Sequence, residues 1–260
     1  MQIDIDRTHW YDRIWASFIF FTRLPFWRLH QPPRECYNSV VEYWPLTGWL
    51  TGGLTVLTLW VGCWYLPYII AILLAIAVRL LVTGALHEDG LADFLDGFGG
   101  GGSDRERILA IMKDSHIGTY GVIGLSLYLL LFTATLYSMT PEMASLAILA
   151  VTPYARMVTA QMVMMMPYAR REEEAKAGIV YRKMDWRAGI GLAIQGLLPL
   201  VAFLWLTEMA WEMVLFIPCV VLYFLYLLIW SKLRGYTGDC CGAVCLIMEL
   251  TTMLVICAQQ

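Results

Sequence analysis

The sequence predicts an all-α polytopic integral membrane protein. It should have about seven transmembrane helices, the N-terminus cytoplasmic, the C-terminus outside, and an interfacial amphipathic helix before the first span. Three observations carry this prediction. Hydrophobic residues make up 59% of the 260 and charged residues 15%, against about 45–50% and about 25% in soluble domains. Seven windows approach the ~20 apolar residues that cross a bilayer core. Sixteen of the 18 Lys and Arg residues fall on one set of alternate connections, the side that the positive-inside rule makes cytoplasmic. The same composition excludes other classes. A soluble globule cannot hide this much apolar side chain, and a disordered chain does not carry it. Seven Cys are too sparse, and odd in number, for a disulfide-stapled scaffold. A net charge of −3 argues against nucleic acid as a partner; the expected surroundings are a lipid bilayer.

The elements follow in order. Residues 1–44 form a cytoplasmic and interfacial segment. Its stretch 10–27 is aromatic but carries Arg13 and Arg23, which suits a helix lying in the interface better than a span. The first 20 residues lack the pattern of a signal peptide. Spans are expected at 45–66, 67–86, 118–139, 143–166, 188–206, 211–230 and 242–258, with the first two divided at Tyr65-Leu66-Pro67. Trp44, Trp49, Trp64, Tyr65, Trp211 and Trp230 fall near the predicted interfaces, as an aromatic belt would. The whole chain, 1–260, reads as a single membrane-embedded catalytic domain.

Arg79, Arg156 and Glu249 lie inside spans at similar depth. Arg79 could snorkel to the interface. Intramembrane charges otherwise face a polar cavity or a partner, and three at one depth predict a shared cavity open to the cytoplasm.

The cytoplasmic segment 87–117 is the most informative. Asp89, Asp93 and Asp96 stand at i, i+4 and i+7, on one face of a helix. Such carboxylates repel one another unless a cation lies between them, and hard cations such as Mg²⁺ take oxygen ligands while keeping positions for substrate phosphates. The arrangement points to metal-assisted chemistry on a phosphate or diphosphate; the alternative is a solvated acidic face. His87 reads as a general base or acid, a phosphate donor, or an interfacial residue without chemistry. Phe98-Gly99-Gly100-Gly101-Gly102-Ser103 reads as a flexible linker, and lacks the Lys of a P-loop. Ser103 is the expected N-cap of a short helix ending near Lys113. Lys113 and His116 either bind phosphate or form an ordinary cationic last turn.

The segment 167–187 mixes basic residues with Glu172-Glu173-Glu174 and reads as a solvated loop. In the stretch from Arg234 to Gly242 the glycines permit close backbone approach, and Asp239 is a further candidate ligand or base. Cys240, Cys241 and Cys245 match no zinc spacing.

These blocks, in this order, resemble the cobalamin synthase family, the adenosylcobinamide-GDP ribazoletransferases, over nearly the whole chain. The resemblance is carried by Phe20-Phe21-Thr22-Arg23-Leu24-Pro25 and by Pro45-Leu46-Thr47-Gly48. It continues in the His-x-Asp-Gly-Leu-Ala-Asp-x-x-Asp-Gly pattern of 87–97, in Arg107, and in Ile111-Met112-Lys113-Asp114-Ser115 with Ile117-Gly118-Thr119. Tyr168-Ala169-Arg170 and Thr237-Gly238-Asp239 complete it. It implies an enzyme of the inner membrane of a prokaryote, with its site on the cytoplasmic face. That enzyme joins adenosylcobinamide-GDP to α-ribazole or its 5′-phosphate with release of GMP, late in cobalamin synthesis. Mg²⁺ would be held by Asp89, Asp93 and Asp96. Arg79, Lys113, Asp114, His116, Arg156, Thr237 and Glu249 are the candidate substrate and phosphate contacts, and His87, Asp96 and Asp239 the candidates for catalysis. Homo-oligomers and docking to other cobalamin-assembly enzymes are compatible with this reading. The chain departs from the family pattern at Glu88, where an apolar residue is usual, at His116, where Arg is common, and at Cys240, where Thr is common. Two alternatives compete. A CDP-alcohol phosphotransferase would place Ala-Arg after its first Asp-Gly, where this chain has Leu91-Ala92-Asp93. A transporter would use Arg79, Arg156 and Glu249 as its pathway, but no internal repeat supports it.

Overall fold

The computed structural model describes residues 9–170 and 179–260; the expectation for Glu172-Glu173-Glu174 lies outside them. Among the described residues the chain forms ten α-helices: α1 Trp10–Phe21, α2 Trp44–Tyr65, α3 Tyr68–Thr83, α4 Leu86–Gly100, α5 Arg105–Lys113, α6 Thr119–Tyr137, α7 Pro141–Met165, α8 Trp186–Thr207, α9 Trp211–Leu233 and α10 Gly238–Cys257. Short 3-10 segments at Phe26–Arg28 and Arg34–Tyr43 link α1 to α2.

Every expected span has a helix. Six (α2 and α6 to α10) are each long and apolar enough to cross a membrane. The seventh, α3, has 16 residues, about 24 Å at 1.5 Å per residue, and is short of the ~30 Å core. It ends where Gly84 and Ala85 both take left-handed conformations, φ 65° and 53°, which no helix continues. Such a conformation costs a non-glycine residue on the order of 1–3 kcal/mol. The chain therefore turns by 88° into α4. The N-terminal segment braces this corner: the Arg23 N–H donates to the Val82 carbonyl at 2.7 Å, and a side chain at Gly84 would collide with that of Arg23.

Helices α7 and α10 form the core of the bundle. α7 packs between α2 and α8, and α10 between α7, α9 and α4. Ala144, Ala147, Ala150, Ala155 and Ala160 are fully buried on α7; small residues let helices approach closely where lipid removes the hydrophobic drive. Gly48 of α2 lies so near α7 that a Cβ would stand 2.9 Å from Pro153 Cα. By contrast α8 and α9 expose Ile194, Leu198, Trp205, Phe216 and Phe224, as lipid-facing helices do. Within the predicted belt, Trp64, Tyr65 and Trp211 are exposed.

Four local expectations are corrected. Only the second half of the glycine run is a linker: α4 continues through Gly100, and Gly101, Gly102 and Ser103 make the turn into α5. A Cβ at Gly99 would reach within 2.6 Å of the Tyr120 ring and one at Gly97 within 2.5 Å of Met112, so packing against α5 and α6 overrides the low helix propensity of glycine. The N-cap of α5 is Asp104 rather than Ser103; its carboxylate accepts from the N–H groups of Glu106 and Arg107. The last span begins at Gly238, four residues early, because the Thr237 hydroxyl caps it by accepting from Cys240 N–H. Trp44 is 2% exposed and belongs to the interior, not to the belt.

Candidate active site

Helix α4 lies across the bundle end, against the first turns of α6 and α10, and is not counted as a span. Two glycines set the crossing with α10. A Cβ on Gly90 would stand 3.1 Å from the Asp239 backbone, and one on Gly242 would stand 3.1 Å from the His87 carbonyl oxygen. This backbone-to-backbone approach brings His87 and Asp89 of α4 beside Thr237 and Asp239 of α10. All four line a cavity of about 260 Å³, together with Phe21, Trp44, Tyr168, Arg170 and Tyr181 among others. Asp239 sits in the first turn of α10, where the helix dipole favours a carboxylate.

His87 is 2% exposed. Burial, with the guanidinium charges of Arg156 and Arg79, holds its imidazole well below the ordinary value, so the ring is neutral at pH 7. Among the described residues its Nε2 has no hydrogen-bond partner. A neutral imidazole with a free ring nitrogen is suited to accept a proton.

The segment carrying Tyr168 and Arg170 also lines a second, wider cleft of about 710 Å³, whose other walls include Arg105, Glu106 and Lys113 of α5. Arg170 Nη2 donates to the Leu109 carbonyl at 3.1 Å, and Arg105 Nε to the Leu233 carbonyl at 2.8 Å. Lys232 caps the C-terminal end of α4 through the Phe98 and Gly102 carbonyls at 3.1 and 2.8 Å. These bonds fix α5 beside the cavity. Lys113 therefore lies next to the site, with Arg170 shared between the two spaces.

Other expected site residues are placed elsewhere. Asp96 does not join Asp89 and Asp93 around a common cation position. Its buried carboxylate accepts from Gly118 N–H at 2.6 Å and Gly121 N–H at 2.8 Å, clamping the N-terminus of α6, where a carboxylate meets unpaired amides. Asp93 is half-buried on α4. Among the described residues no three His, Cys, Asp or Glu side chains converge on a metal position. Mg²⁺ needs less than that, since one or two carboxylates suffice when substrate phosphates supply further oxygens. Asp89 and Asp239, lining one cavity, are a donor pair of that kind.

The shared cavity expected at Arg79, Arg156 and Glu249 is closed. Arg79 donates to both oxygens of Glu249 at 3.0 and 2.5 Å, and Thr152 donates to Glu249 at 2.8 Å. Arg156 donates to the Thr152 carbonyl at 2.8 Å and the Thr51 hydroxyl at 3.3 Å. Arg79, Arg156 and Glu249 are at most 5% exposed, and none of them lines either space described above. They join α2, α3, α7 and α10 to one another. Asp114 and His116 pair with each other at 2.6 Å on the exposed α5–α6 turn; the hydrogen bond from His116 holds the Asp114 carboxyl below its ordinary value.

Trp44, Phe21 and Tyr181 had no site assignment from sequence. A Trp near an interface looks like a belt residue, and Tyr181 is brought to the site by contacts distant in the chain: Arg182 N–H donates to the Asn38 carbonyl at 2.9 Å, and the Arg182 side chain to Glu42 at 3.2 and 2.8 Å.

The comparisons with known proteins cover the whole of this architecture. The family model of cobalamin-5-phosphate synthase matches residues 13–257. The chain is 37% identical over 250 residues to an adenosylcobinamide-GDP ribazoletransferase of Shewanella frigidimarina, covering 94% of this chain and 93% of that one. It is 33% identical to one from Leptospira interrogans over 90% of each chain, and 32% identical to one from Ralstonia pickettii over 94% of each. No solved structure matches the chain. With the family model covering both the α4 acidic segment and the first turn of α10 that meets it, the chain belongs to the cobalamin-5-phosphate synthase family, enzymes of cobalamin synthesis.

Proposed function

We propose that this protein joins adenosylcobinamide-GDP to α-ribazole, or its 5′-phosphate, with release of GMP, in a Mg²⁺-dependent reaction at the cytoplasmic face of the inner membrane. The observation that carries the proposal is the convergence of His87, Asp89, Thr237 and Asp239 on one cavity beside the cleft that holds Lys113. The names of the curated relatives support the substrate assignment.

A ribose hydroxyl of the ribazole attacks the phosphorus on the cobinamide side of the diphosphate. A new P–O bond forms, the bridging P–O bond breaks, and its electron pair leaves on GMP. The neutral His87 takes the hydroxyl proton. Lys113 and Arg170 bind phosphate oxygens and offset the charge that spreads over them. Asp89 and Asp239 would hold Mg²⁺, which when bound neutralises charge on the diphosphate. The Arg79–Glu249–Arg156 network keeps α3, α7 and α10 in register beneath the site. It gives no open pathway of the kind a transporter needs.

The test is direct. The full chain in lipid nanodiscs receives adenosylcobinamide-GDP, α-ribazole phosphate and Mg²⁺, and GMP and a corrinoid product are measured. A folded preparation that yields neither refutes the proposal. Asp89→Asn and Asp239→Asn should each abolish turnover without loss of membrane insertion. A C-terminal reporter should be active only outside the inner membrane; activity inside refutes the orientation.

A further inference from the structure

Six of the residues that line the cavity carry rings. Phe21, Trp44 and His87 lie parallel within 9°, with centroids 5.0 to 6.4 Å apart. Phe20 meets Tyr181 edge-on at 6.1 Å. Two polar atoms on these rings are buried and have no hydrogen-bond partner among the described residues: Trp44 Nε1 and His87 Nε2, each on a residue 2% exposed. Buried polar atoms of native proteins are normally paired. Two orphans on rings that line one cavity are groups to which a ligand can bond.

Size and chemistry narrow the ligand. About 260 Å³ is below the ~300–1,000 Å³ of pockets for drug-sized ligands. That space matches a flat nucleoside base better than a whole corrinoid. Parallel aromatic rings recognise such a base by stacking.

We propose that this cavity is the base-binding subsite of the acceptor nucleoside. The ribazole base packs against Tyr181 and the edge of the Phe21–Trp44 stack, with the Trp44 indole N–H donating to an acceptor on the nucleoside. This assignment rests on the reaction proposed above. The competing flat base is the guanine of the leaving nucleotide. Guanine carries an exocyclic amine and carbonyl that demand polar partners, whereas the ribazole base carries no exocyclic hydrogen-bonding group and suits apolar rings. The ribose then lies toward His87 and Asp89, and the phosphates toward Arg170 at the mouth of the cleft.

The test uses the full chain in nanodiscs and measures the dissociation constants of α-ribazole, GMP and adenosylcobinamide-GDP by calorimetry. Trp44→Leu and Tyr181→Leu should each weaken α-ribazole roughly tenfold or more, with GMP and adenosylcobinamide-GDP unchanged. Trp44→Phe keeps a ring but loses the N–H, and should give a smaller loss. In turnover the variants should raise the KM for ribazole and leave that for adenosylcobinamide-GDP in place. Unchanged α-ribazole affinity in Trp44→Phe and Tyr181→Leu overturns the subsite, as does a loss confined to GMP. If Trp44→Leu does not fold, the other two variants decide. A wild-type protein that binds α-ribazole with this aromatic dependence but forms no product counts against the reaction, not against the subsite.

Discussion

Asp96 gives the sharpest separation between a ligand and a clamp. Its two carboxylate oxygens accept from Gly118 and Gly121 N–H at 2.6 and 2.8 Å, and the residue is 7% exposed. A hydrogen bond to a charged group contributes about 1.5–3 kcal/mol, so Asp96→Ala should lose roughly 3–6 kcal/mol. Water cannot readily replace the carboxylate in that closed site. At roughly 2–4 °C per kcal/mol for a chain near this size, the melting temperature should fall by on the order of 10 °C. Asp96→Asn keeps one acceptor oxygen and should lose about half as much. The assay is thermal unfolding of the full chain in detergent, paired with the Mg²⁺ dependence of turnover at a temperature where all variants are folded. Asp96→Ala should melt early yet keep the wild-type half-saturating Mg²⁺ concentration. Asp89→Asn, at an exposed position on the same helix, should melt normally and lose turnover. If Asp96→Asn melts like wild type and shifts the Mg²⁺ dependence, the clamp reasoning is wrong and Asp96 returns to the metal.

Three further outcomes follow from the same geometry. Glu249→Gln leaves the Arg79 guanidinium buried without its counter-charge and should cost about 3–5 kcal/mol in thermal unfolding; replacing both partners with Met should recover part of it. Asp12 accepts from His30 at 2.5 Å and from His9 N–H at 2.7 Å. Burial raises its carboxyl, but the His30 bond and charge outweigh this and leave it below the ordinary 3.8. A depressed carboxylate stabilises the folded state above its unfolded value and loses that effect as pH falls through the folded one. Protection of α1 from proteolysis should therefore fall away below 3.8, and Asp12→Asn should be insensitive there. Glu42→Gln weakens the bonds from Arg182 that hold Tyr181 over the cavity, and should raise the KM for ribazole more than it lowers kcat.

Much of the fold could be read in advance because its signals are local. Each bilayer crossing requires its own apolar window, so seven windows became seven helices within a few residues at their ends. The acidic segment was equally visible, since Asp89 and His87 need only their own helix to be recognised as a pair of candidates. The failures share a cause. Gly99 to Gly102 have low helix propensity, and only packing against the neighbouring Tyr120 carries the helix through the first two of them. Asp96 carries the same pattern as Asp89, yet its partners lie 22 and 25 positions on.

The sequence alone determined the bilayer as solvent, the positions of the apolar helices and the stretch of chain that carries the acidic chemistry. All three follow from composition and spacing within single segments. The tertiary structure decided which charges are available to a substrate. Arg79 and Glu249, 170 positions apart, are spent on each other, whereas His87 and Asp239 meet at one cavity only because Gly90 and Gly242 let two backbones touch. A charge in an apolar bundle must find a partner or a polar space, and which of the two it finds depends on packing between segments far apart in the chain.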